Sequence, residues 1–171
     1  MRYDLLSILL VDDNQHMRML LGEILRAVGV KRLHEASDGA QGLQVMKTQA
    51  IDIVMTDLSM VPLDGIDFVR LLRKSKETTI SMVPVIMITG HSTITRVNEA
   101  RDAGVNEFLT KPLTARGVIE RITLVVDHPR PFVRSATYFG PDRRRHVKSN
   151  WAGPFRRASD APQRNVATQE I

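Results

Sequence analysis

The 171-residue sequence contains no cysteine, a single tryptophan and only 5% aromatic residues. The missing thiols exclude disulfide bonds, cysteine nucleophiles and thiolate metal ligands. No apolar run approaches the roughly 18 residues that a membrane-spanning helix requires, and no signal peptide pattern precedes the first apolar run. We therefore expect a cytoplasmic protein without a transmembrane segment. Its hydrophobic content, 43%, is sufficient for a buried core.

Charge is distributed unevenly along the chain. Residues 1–127 contain 15 Lys and Arg against 16 Asp and Glu, whereas residues 128–171 contain nine against three. The positive net charge of the chain therefore arises from its C-terminal part. We expect a nearly neutral domain over residues 1–127 and a basic tail over residues 128–171.

Four short apolar runs each lead into residues that can carry chemistry. The runs cover residues 7–11, 51–56, 83–88 and 105–109, and they lead into Asp12-Asp13, Asp57, Thr89-Gly90 and Thr110-Lys111 respectively. Apolar runs of this length, bounded by turn residues and separated by helical patterns, are typical of buried strands in a parallel sheet. Ligands of such sheets bind beyond the carboxyl ends of the strands. The sequence therefore predicts one site that gathers three carboxylates, a hydroxyl and an amine.

Helical patterns alternate with the strands. Residues 32–36 form a short additional strand, and helices are expected at about 17–28, 38–49, 64–76, 92–103 and 113–127. This alternation predicts an α/β fold, a doubly wound parallel sheet of five strands with five helices. The periodicity stops after Asp127, because the prolines of His128-Pro129-Arg130-Pro131 cannot continue a helix. We expect an irregular, extended or disordered tail from there.

The predicted cluster of carboxylates calls for a compensating charge. Two carboxylates about 5 Å apart repel each other by roughly 3 kcal/mol at an effective dielectric constant near 20. Protons or a bound cation must relieve this repulsion. An oxygen-only site with room for water suits Mg²⁺, which favours one or two carboxylates together with phosphate oxygens.

These motifs resemble the receiver domain of two-component response regulators of the chemotaxis-regulator type. The resemblance covers residues 4 to 127 and rests on the ordered motifs Asp12-Asp13, Asp57, Met60, Asp64-Gly65, Thr89-Gly90, Phe108 and Lys111-Pro112. One position departs from the family pattern, since Val61 stands between Met60 and Pro62 where the family usually has Met followed directly by Pro. The resemblance implies a flavodoxin-like sheet with the strand order 2-1-3-4-5.

The resemblance also implies roles for the site residues. Asp57 would be the phosphoacceptor, and the Lys111 ammonium would neutralise charge on the phosphoryl group. Asp13 and Asp57 would bind Mg²⁺ directly, with Asp12 acting through water and the Ser59 backbone carbonyl as a further ligand. The phosphoryl donor would be a sensor histidine kinase or a histidine phosphotransfer protein.

A switch is implied as well. The Thr89 hydroxyl would move towards the phosphoryl group, and Phe108 would turn into the vacated space. The output would be a change in protein binding and not the turnover of a metabolite. We therefore expect no enzymatic activity beyond the protein's own phosphorylation and dephosphorylation.

Each residue alone also fits an ordinary structural role. Asp12 and Asp13 could cap the first helix, Lys111 could be a solvated charge, and Phe108 could belong to the core; Asp64-Gly65 reads best as a device that starts a helix. Their coincidence at four strand ends favours a site. A hydrolase with an aspartyl nucleophile, similar to the haloacid dehalogenase family, is disfavoured because that family has a second Asp where this chain has Ser59.

The tail leaves several functions open. Arg143, Arg144 and Arg145, with Tyr138 and Phe139 as anchors, would suit docking on an acidic protein partner, and docking of the tail on the receiver itself is a further alternative. The arginines together with Trp151 and Phe155 would also suit nucleic acid, by charge and stacking, or a membrane surface. A solvated tail without a specific role is the remaining alternative. A protein partner is the preferred reading, and nucleic acid is the less favoured one.

Overall fold

Five short strands pair in parallel in the computed structural model, which describes residues 2–90 and 93–144. The strands are β1 (Ser7–Val11), β2 (Arg32–Ala36), β3 (Ile53–Asp57), β4 (Val85–Thr89) and β5 (Glu107–Thr110). Their order, β2-β1-β3-β4-β5, confirms the predicted doubly wound, flavodoxin-like sheet. Every residue of β1, β3 and β4 is buried, as expected for central strands covered on both faces.

The helices cover the two faces of the sheet. They are α1 (Gln15–Ala27), α2 (Gly39–Thr48), α3 (Gly65–Arg73), α4 (Thr78–Ser81), α5 (Ile94–Ala103) and α6 (Ala115–Asp127), preceded by a 3-10 turn at Tyr3–Leu5. One core cluster, which includes Leu9, Phe68 and Met87, packs under α2, α3 and α5. The other, which includes Ile8, Leu25 and Ile122, packs under α1 and α6. Alternate residues of each strand thus serve opposite faces.

Side-chain caps fix where the helices begin. Asn14 starts α1, and its side chain accepts from the amides of His16 and Met17, so Asp12 and Asp13 are not the cap. Asp38, Asp64, Thr93 and Thr114 start α2, α3, α5 and α6 in the same way. The sequence placed the start of the fourth predicted helix at Ser92, which lies outside the described residues. No helix in the described ranges is long and apolar enough to cross a membrane.

The third predicted helix is shorter than expected, and an additional short helix that was not predicted follows it. The prediction extended this helix to Lys76, but α3 ends at Arg73 and the separate single turn α4 comes next. The amide of Lys74 is shared between the carbonyls of Arg70 and Leu71, and the Ser75 hydroxyl accepts from the Glu77 amide. Local side-chain bonding of this kind competes with the helix and ends it.

The beginning of the tail is folded, whereas the sequence predicted an irregular segment. Phe132–Arg134 (β6) and Phe139–Pro141 (β7) pair as an antiparallel hairpin. The two phenylalanine rings lie 5.6 Å apart, and the buried Tyr138 hydroxyl donates to the Pro141 carbonyl at 2.7 Å. The two strands are short and lack an alternating apolar pattern, so the sequence contains no strand signal. Ring and hydrogen-bond contacts stabilise this hairpin instead.

The hairpin packs on the domain at three places. The Arg73 guanidinium lies 5.0 Å from the centre of the Phe132 ring. Arg143 forms an ion pair with Asp102 at 2.6 Å, and Arg130 lies 3.6 Å from Glu107. Residues 128–144 therefore contact the domain, and the division at residue 127 stays a prediction. Arg145, Trp151 and Phe155 lie outside the described residues.

Candidate functional site

The polar residues predicted at the strand ends share the carboxyl edge of the sheet. Asp57 and Thr89 are the last residues of β3 and β4, Asp12 follows β1 directly, and Lys111 follows β5 directly. Parallel pairing in register carries all four strands to the same edge. The fold therefore brings residues that are up to 99 positions apart in sequence into one site.

Asp57 is the best-defined residue of this edge. Its side chain is buried, and Oδ1 accepts from Lys111 Nζ at 2.7 Å while Oδ2 accepts from the Ser59 amide at 2.8 Å. The Lys111 amide in turn donates to the Thr89 carbonyl at 2.8 Å. Lys111 thus links the ends of β3 and β4, the first through its side chain and the second through its backbone amide. Charge-assisted bonds such as these hold a carboxylate in one orientation.

Asp12 is a second buried carboxylate beside the first. Its Oδ1 accepts from the Asn14 amide at 2.8 Å. Burial raises the pKa of Asp12, and the nearby negative charge of Asp57 adds to this; the Asn14 amide and the Lys111 ammonium act in the opposite direction. Ionisation of Asp12 in the folded protein therefore costs free energy, and a positive ion beside the two carboxylates would lower this cost.

Asp13 and Ser59 are exposed at the rim of the site. Within residues 2–90 and 93–144, no group of three acidic or histidine side chains is arranged to hold a metal ion. The convergence of three carboxylates on one ion stays a prediction. Lys111 compensates Asp57 directly at 2.7 Å, and Asp13 is exposed to water.

The donor set of the edge nevertheless suits a hard cation. Asp12, Asp13 and Asp57 offer carboxylate oxygens, and the backbone carbonyl of Ser59 is near in sequence to Asp57. Burial first, and then the neighbouring Asp57 and Asp13 carboxylates, raise the pKa of Asp12, and a bound cation would oppose this effect. Oxygen ligands with partial exposure to water are typical of Mg²⁺ sites.

Thr89 and Phe108 occupy adjacent strands on one face of the sheet. Met87 pairs with Phe108 and Thr89 pairs with Thr110, so the four side chains project to the same side. Thr89 is buried, and its hydroxyl lies 3.5 Å from the Gly90 carbonyl. Phe108 is half-buried and packs against the core beneath α3 and α5. The aromatic ring is therefore diagonal to the hydroxyl across the β4–β5 ladder.

Asp64 acts structurally, as the sequence suggests, whereas the contact of Gly65 with the end of β3 was missed. The Asp64 carboxylate accepts from the Asp67 amide at 2.8 Å and pairs with Arg96 of α5 at 2.9 Å. A Cβ atom on Gly65 would lie 2.1 Å from the Asp57 carbonyl oxygen. Only glycine permits this approach of α3 to the end of β3. The sequence signal was a glycine directly after a helix cap.

Arg18 is another residue that sequence reasoning missed. Its Nη1 donates to the Asp12 backbone carbonyl at 2.5 Å, and its Nε lies 3.5 Å from a Glu35 carboxylate oxygen. The side chain thus fixes the loop that carries the acidic pair. Position 18 lies in the first helical pattern, where an arginine is ordinarily a solvated charge, so the pattern held no signal for this contact.

Comparisons with known proteins agree with this geometry. Residues 8–123 match the response regulator receiver domain family. The chain is 34% identical to the chemotaxis protein CheY-3 of Vibrio cholerae over 122 residues, which cover 71% of this chain and 92% of that protein. It is 33% identical to the chemotaxis protein CheY of Pseudomonas aeruginosa, again over 71% of this chain and 97% of the relative.

Solved structures share the fold. The structure of the chemotaxis protein CheY4 of Vibrio cholerae superposes with a TM-score of 0.66 at 22% identity, covering 71% of this chain and 98% of that one. The match covers the five-stranded sheet and its helices and shows the fold. The family match spans more than half of the chain, and the chain therefore belongs to the response regulator receiver family.

Proposed function

We propose that this protein is a phosphorylation-dependent switch that accepts a phosphoryl group on Asp57 from a sensor histidine kinase or a histidine phosphotransfer protein. The observation that carries the proposal is the contact between Asp57 and Lys111, at 2.7 Å, on the carboxyl edge of the sheet. Family membership supports the receiver role, and the contact of Asp57 with Lys111 supports Asp57 as the acceptor. Asp57 is buried among donors, whereas Asp13 is exposed at the rim.

The proposed reaction is a direct phosphoryl transfer. An Asp57 carboxylate oxygen attacks phosphorus, the bond between phosphorus and the donor's imidazole nitrogen breaks, and the imidazole takes a proton from water. An acyl phosphate forms on Asp57. The Lys111 ammonium moves from the carboxylate to a phosphoryl oxygen and neutralises its charge, while the Ser59 amide keeps the second carboxylate oxygen in place. Attack of water on phosphorus reverses the modification.

Mg²⁺ is the proposed cofactor of this transfer. Asp12, Asp13, Asp57 and the Ser59 backbone carbonyl would hold the ion, whose charge compensates both the carboxylates and the phosphoryl oxygens. Asp13→Ala is expected to weaken Mg²⁺ binding and phosphorylation together, because the two share this ligand. Titration calorimetry with MgCl₂ measures the first effect, and unchanged Mg²⁺ affinity in Asp13→Ala would contradict the ligand set.

Thr89 and Phe108 are the proposed switch. A phosphoryl oxygen on Asp57 attracts the Thr89 hydroxyl, and the half-buried Phe108 turns further inward on the same face of the sheet. Phenylalanine gains burial in this move but no terminal hydrogen bond. Thr89→Ala should therefore leave phosphorylation largely intact and uncouple it from partner binding. A variant whose partner binding still depends on phosphorylation would rule out this role for Thr89.

The output is proposed to be altered protein–protein binding in the cytoplasm. The tail is basic overall, with the run Arg143-Arg144-Arg145 as its densest part, and this net charge supports an acidic protein as the partner. Binding of nucleic acid or of a membrane surface by the tail is the alternative. A pull-down with and without a phosphoryl mimic, at low and moderate salt, separates a phosphorylation-dependent protein partner from charge-driven binding.

The test of the phosphoacceptor uses acetyl phosphate and Mg²⁺, with intact-mass spectrometry as the readout. We expect one added phosphoryl group on the wild type, which hydroxylamine removes because it cleaves acyl phosphates and not phosphate esters. Asp57→Asn should abolish labelling. Asp52→Asn, at the exposed amino end of the same strand, is the matched control and should label normally. Undiminished labelling of Asp57→Asn, or a label that resists hydroxylamine, would overturn the assignment.

A further inference from the structure

A cleft opens at the amino edge of the sheet, opposite the site just described. It is formed between the tail hairpin on one side and the end of α3, the following loop and α4 on the other, it is open to solvent, and its volume is about 920 Å³. Its hairpin wall includes residues 134–139, so the cleft exists only because the beginning of the tail folds back on the domain. A concavity of this volume is within the range of small-molecule sites, about 300–1,000 Å³.

The lining of the cleft is strongly basic. Four exposed cations surround it: Arg70, Lys74, Lys76 and Arg134. Among the described residues that line the cleft, Asp102 alone is acidic, and Arg143 compensates it at 2.6 Å. The side-chain ammonium groups of Lys74 and Lys76 form no hydrogen bond or ion pair with any residue in the described part of the chain, where Lys74 bonds only through its backbone amide. Their charges are therefore available to an anionic ligand.

A buried cation lies behind these exposed ones. Arg73 is almost fully buried, and its five N–H groups donate to the Gly104, Ser81 and Val83 carbonyls and the Asn106 side-chain oxygen at 2.8–3.1 Å. All of these acceptors are neutral, so the hydrogen bonds are satisfied while the charge is not compensated. Burial lowers the pKa of Arg73 to about 10, which leaves it charged at neutral pH. The base of the cleft is thus a fixed positive charge.

Neutral groups of the cleft suit phosphoryl oxygens as well. Hydroxyl side chains line both walls, namely Ser75, Thr78, Ser135 and Thr137. The Arg134 guanidinium is held 4.2 Å from the centre of the Phe139 ring, which orders this cation at low entropic cost. Hydroxyl donors and ordered guanidinium groups are the usual partners of phosphate in proteins.

We propose that this cleft binds a small ligand that carries two or more phosphoryl groups. Several cations on two facing walls match a polyanion better than a single charge, and a volume of about 920 Å³ is within the range of small-molecule sites. The site is remote from Asp57 and stands whether or not Asp57 is phosphorylated. The hairpin closes one side of it, so ligand binding also stabilises the docked hairpin by mass action.

The experiment uses the full chain and sodium tripolyphosphate as the probe. Titration calorimetry in Mg²⁺-free buffer measures affinity, and a nucleoside triphosphate and a single-stranded oligonucleotide are titrated in parallel. The test variant replaces Lys74 and Lys76 with Glu. Its matched control replaces Lys31 and Lys47 with Glu, two exposed lysines elsewhere that give the same change in net charge. Backbone amide NMR shifts then locate the bound probe.

The expected result is at least about tenfold weaker tripolyphosphate binding in the test variant and affinity within about twofold of wild type in the control. Amide shifts should map to both walls, residues 74–78 and 134–137. An equal or tighter affinity for the nucleoside triphosphate extends the ligand to nucleotides. Equal weakening in both variants, shifts confined to residues 145–171, or a much stronger preference for the oligonucleotide would overturn the proposal.

Discussion

The two edges of the sheet handle buried charge in opposite ways. At the carboxyl edge, two buried carboxylates lie beside one ammonium, and the balance of charge is incomplete. At the amino edge, one buried guanidinium has all of its hydrogen bonds satisfied by neutral oxygens of the loops that enter β4 and β5. The first arrangement is poised to react with an ion or a phosphoryl group, whereas the second ties loops, helix and tail together. We therefore expect substitutions at the carboxyl edge to change activity and those at the amino edge to change stability.

Arg73→Ala should produce the largest loss of stability. It leaves the Gly104, Ser81 and Val83 carbonyls without their donor and removes the cation from beneath Phe132, so we expect about 3–5 kcal/mol of destabilisation. Chemical denaturation measures the loss. Arg70→Ala, on the exposed side of the same helix with only an ion pair to Asp67, is the control and should cost less than about 0.5 kcal/mol.

The comparison requires that Arg73→Ala, where folded, still labels at Asp57 with acetyl phosphate at a normal rate. A folded Arg73→Ala variant with near wild-type stability, or one that is stable but cannot be phosphorylated, would contradict the expectation that the amino edge determines stability and the carboxyl edge activity.

Gly65→Ala should come next in size and should affect both properties. The new Cβ would lie 2.1 Å from the Asp57 carbonyl oxygen, a backbone atom, so α3 or the end of β3 must shift. We expect about 2–3 kcal/mol of destabilisation and slower phosphorylation. Gly22→Ala is the control: in the middle of α1, it meets only the flexible Arg26 side chain at 3.2 Å and should stabilise by about 0.5–1 kcal/mol. A Gly65→Ala protein with normal kinetics would show that the site tolerates this shift.

Tyr138→Phe tests the folded beginning of the tail with a smaller change. The substitution removes the hydroxyl that donates to the Pro141 carbonyl at 2.7 Å and keeps the ring. We expect a loss of about 1 kcal/mol, the usual net value of a hydrogen bond between neutral groups, and faster hydrogen exchange in residues 132–141. Unchanged exchange there would indicate that the hydroxyl does not hold the hairpin.

Asp12→Asn should give the smallest effect, with a size that depends on pH. Because the folded-state pKa of Asp12 is raised, its contribution to stability is present at low pH and is lost as the carboxyl ionises with rising pH. In Mg²⁺-free buffer, Asp12→Asn should therefore melt about 2 °C above wild type near pH 7 and show no such gain in acid. Thermal melts at both pH values measure the difference, and a lower melting temperature at neutral pH would contradict the stated cause.

Sequence reasoning succeeded where local pattern and fold rules decide the structure. The observed bounds of β1 and β2 equal the predicted ones. Asp57, Thr89 and Lys111 lie together at the carboxyl ends of their strands, as predicted. It failed where distant side chains decide. The acceptors of Arg73 lie 8 to 33 residues away, and no periodic signal marks them. The hairpin was missed for the same reason, since its stability depends on Phe132, Tyr138 and their contacts with the domain.

Glu107 of β5 connects the tail to the strand that carries Phe108 of the proposed switch. Glu107 lies 3.6 Å from Arg130 of the tail, and the next residue is Phe108, whose side chain projects to the opposite face of the sheet. A shift of β5 that allows the Phe108 ring to move would also change the distance between Glu107 and Arg130. Thermodynamic linkage makes any such coupling reciprocal, so a partner that binds the tail would change the free energy of the proposed phosphorylation at Asp57 by the same amount that phosphorylation changes the partner's affinity.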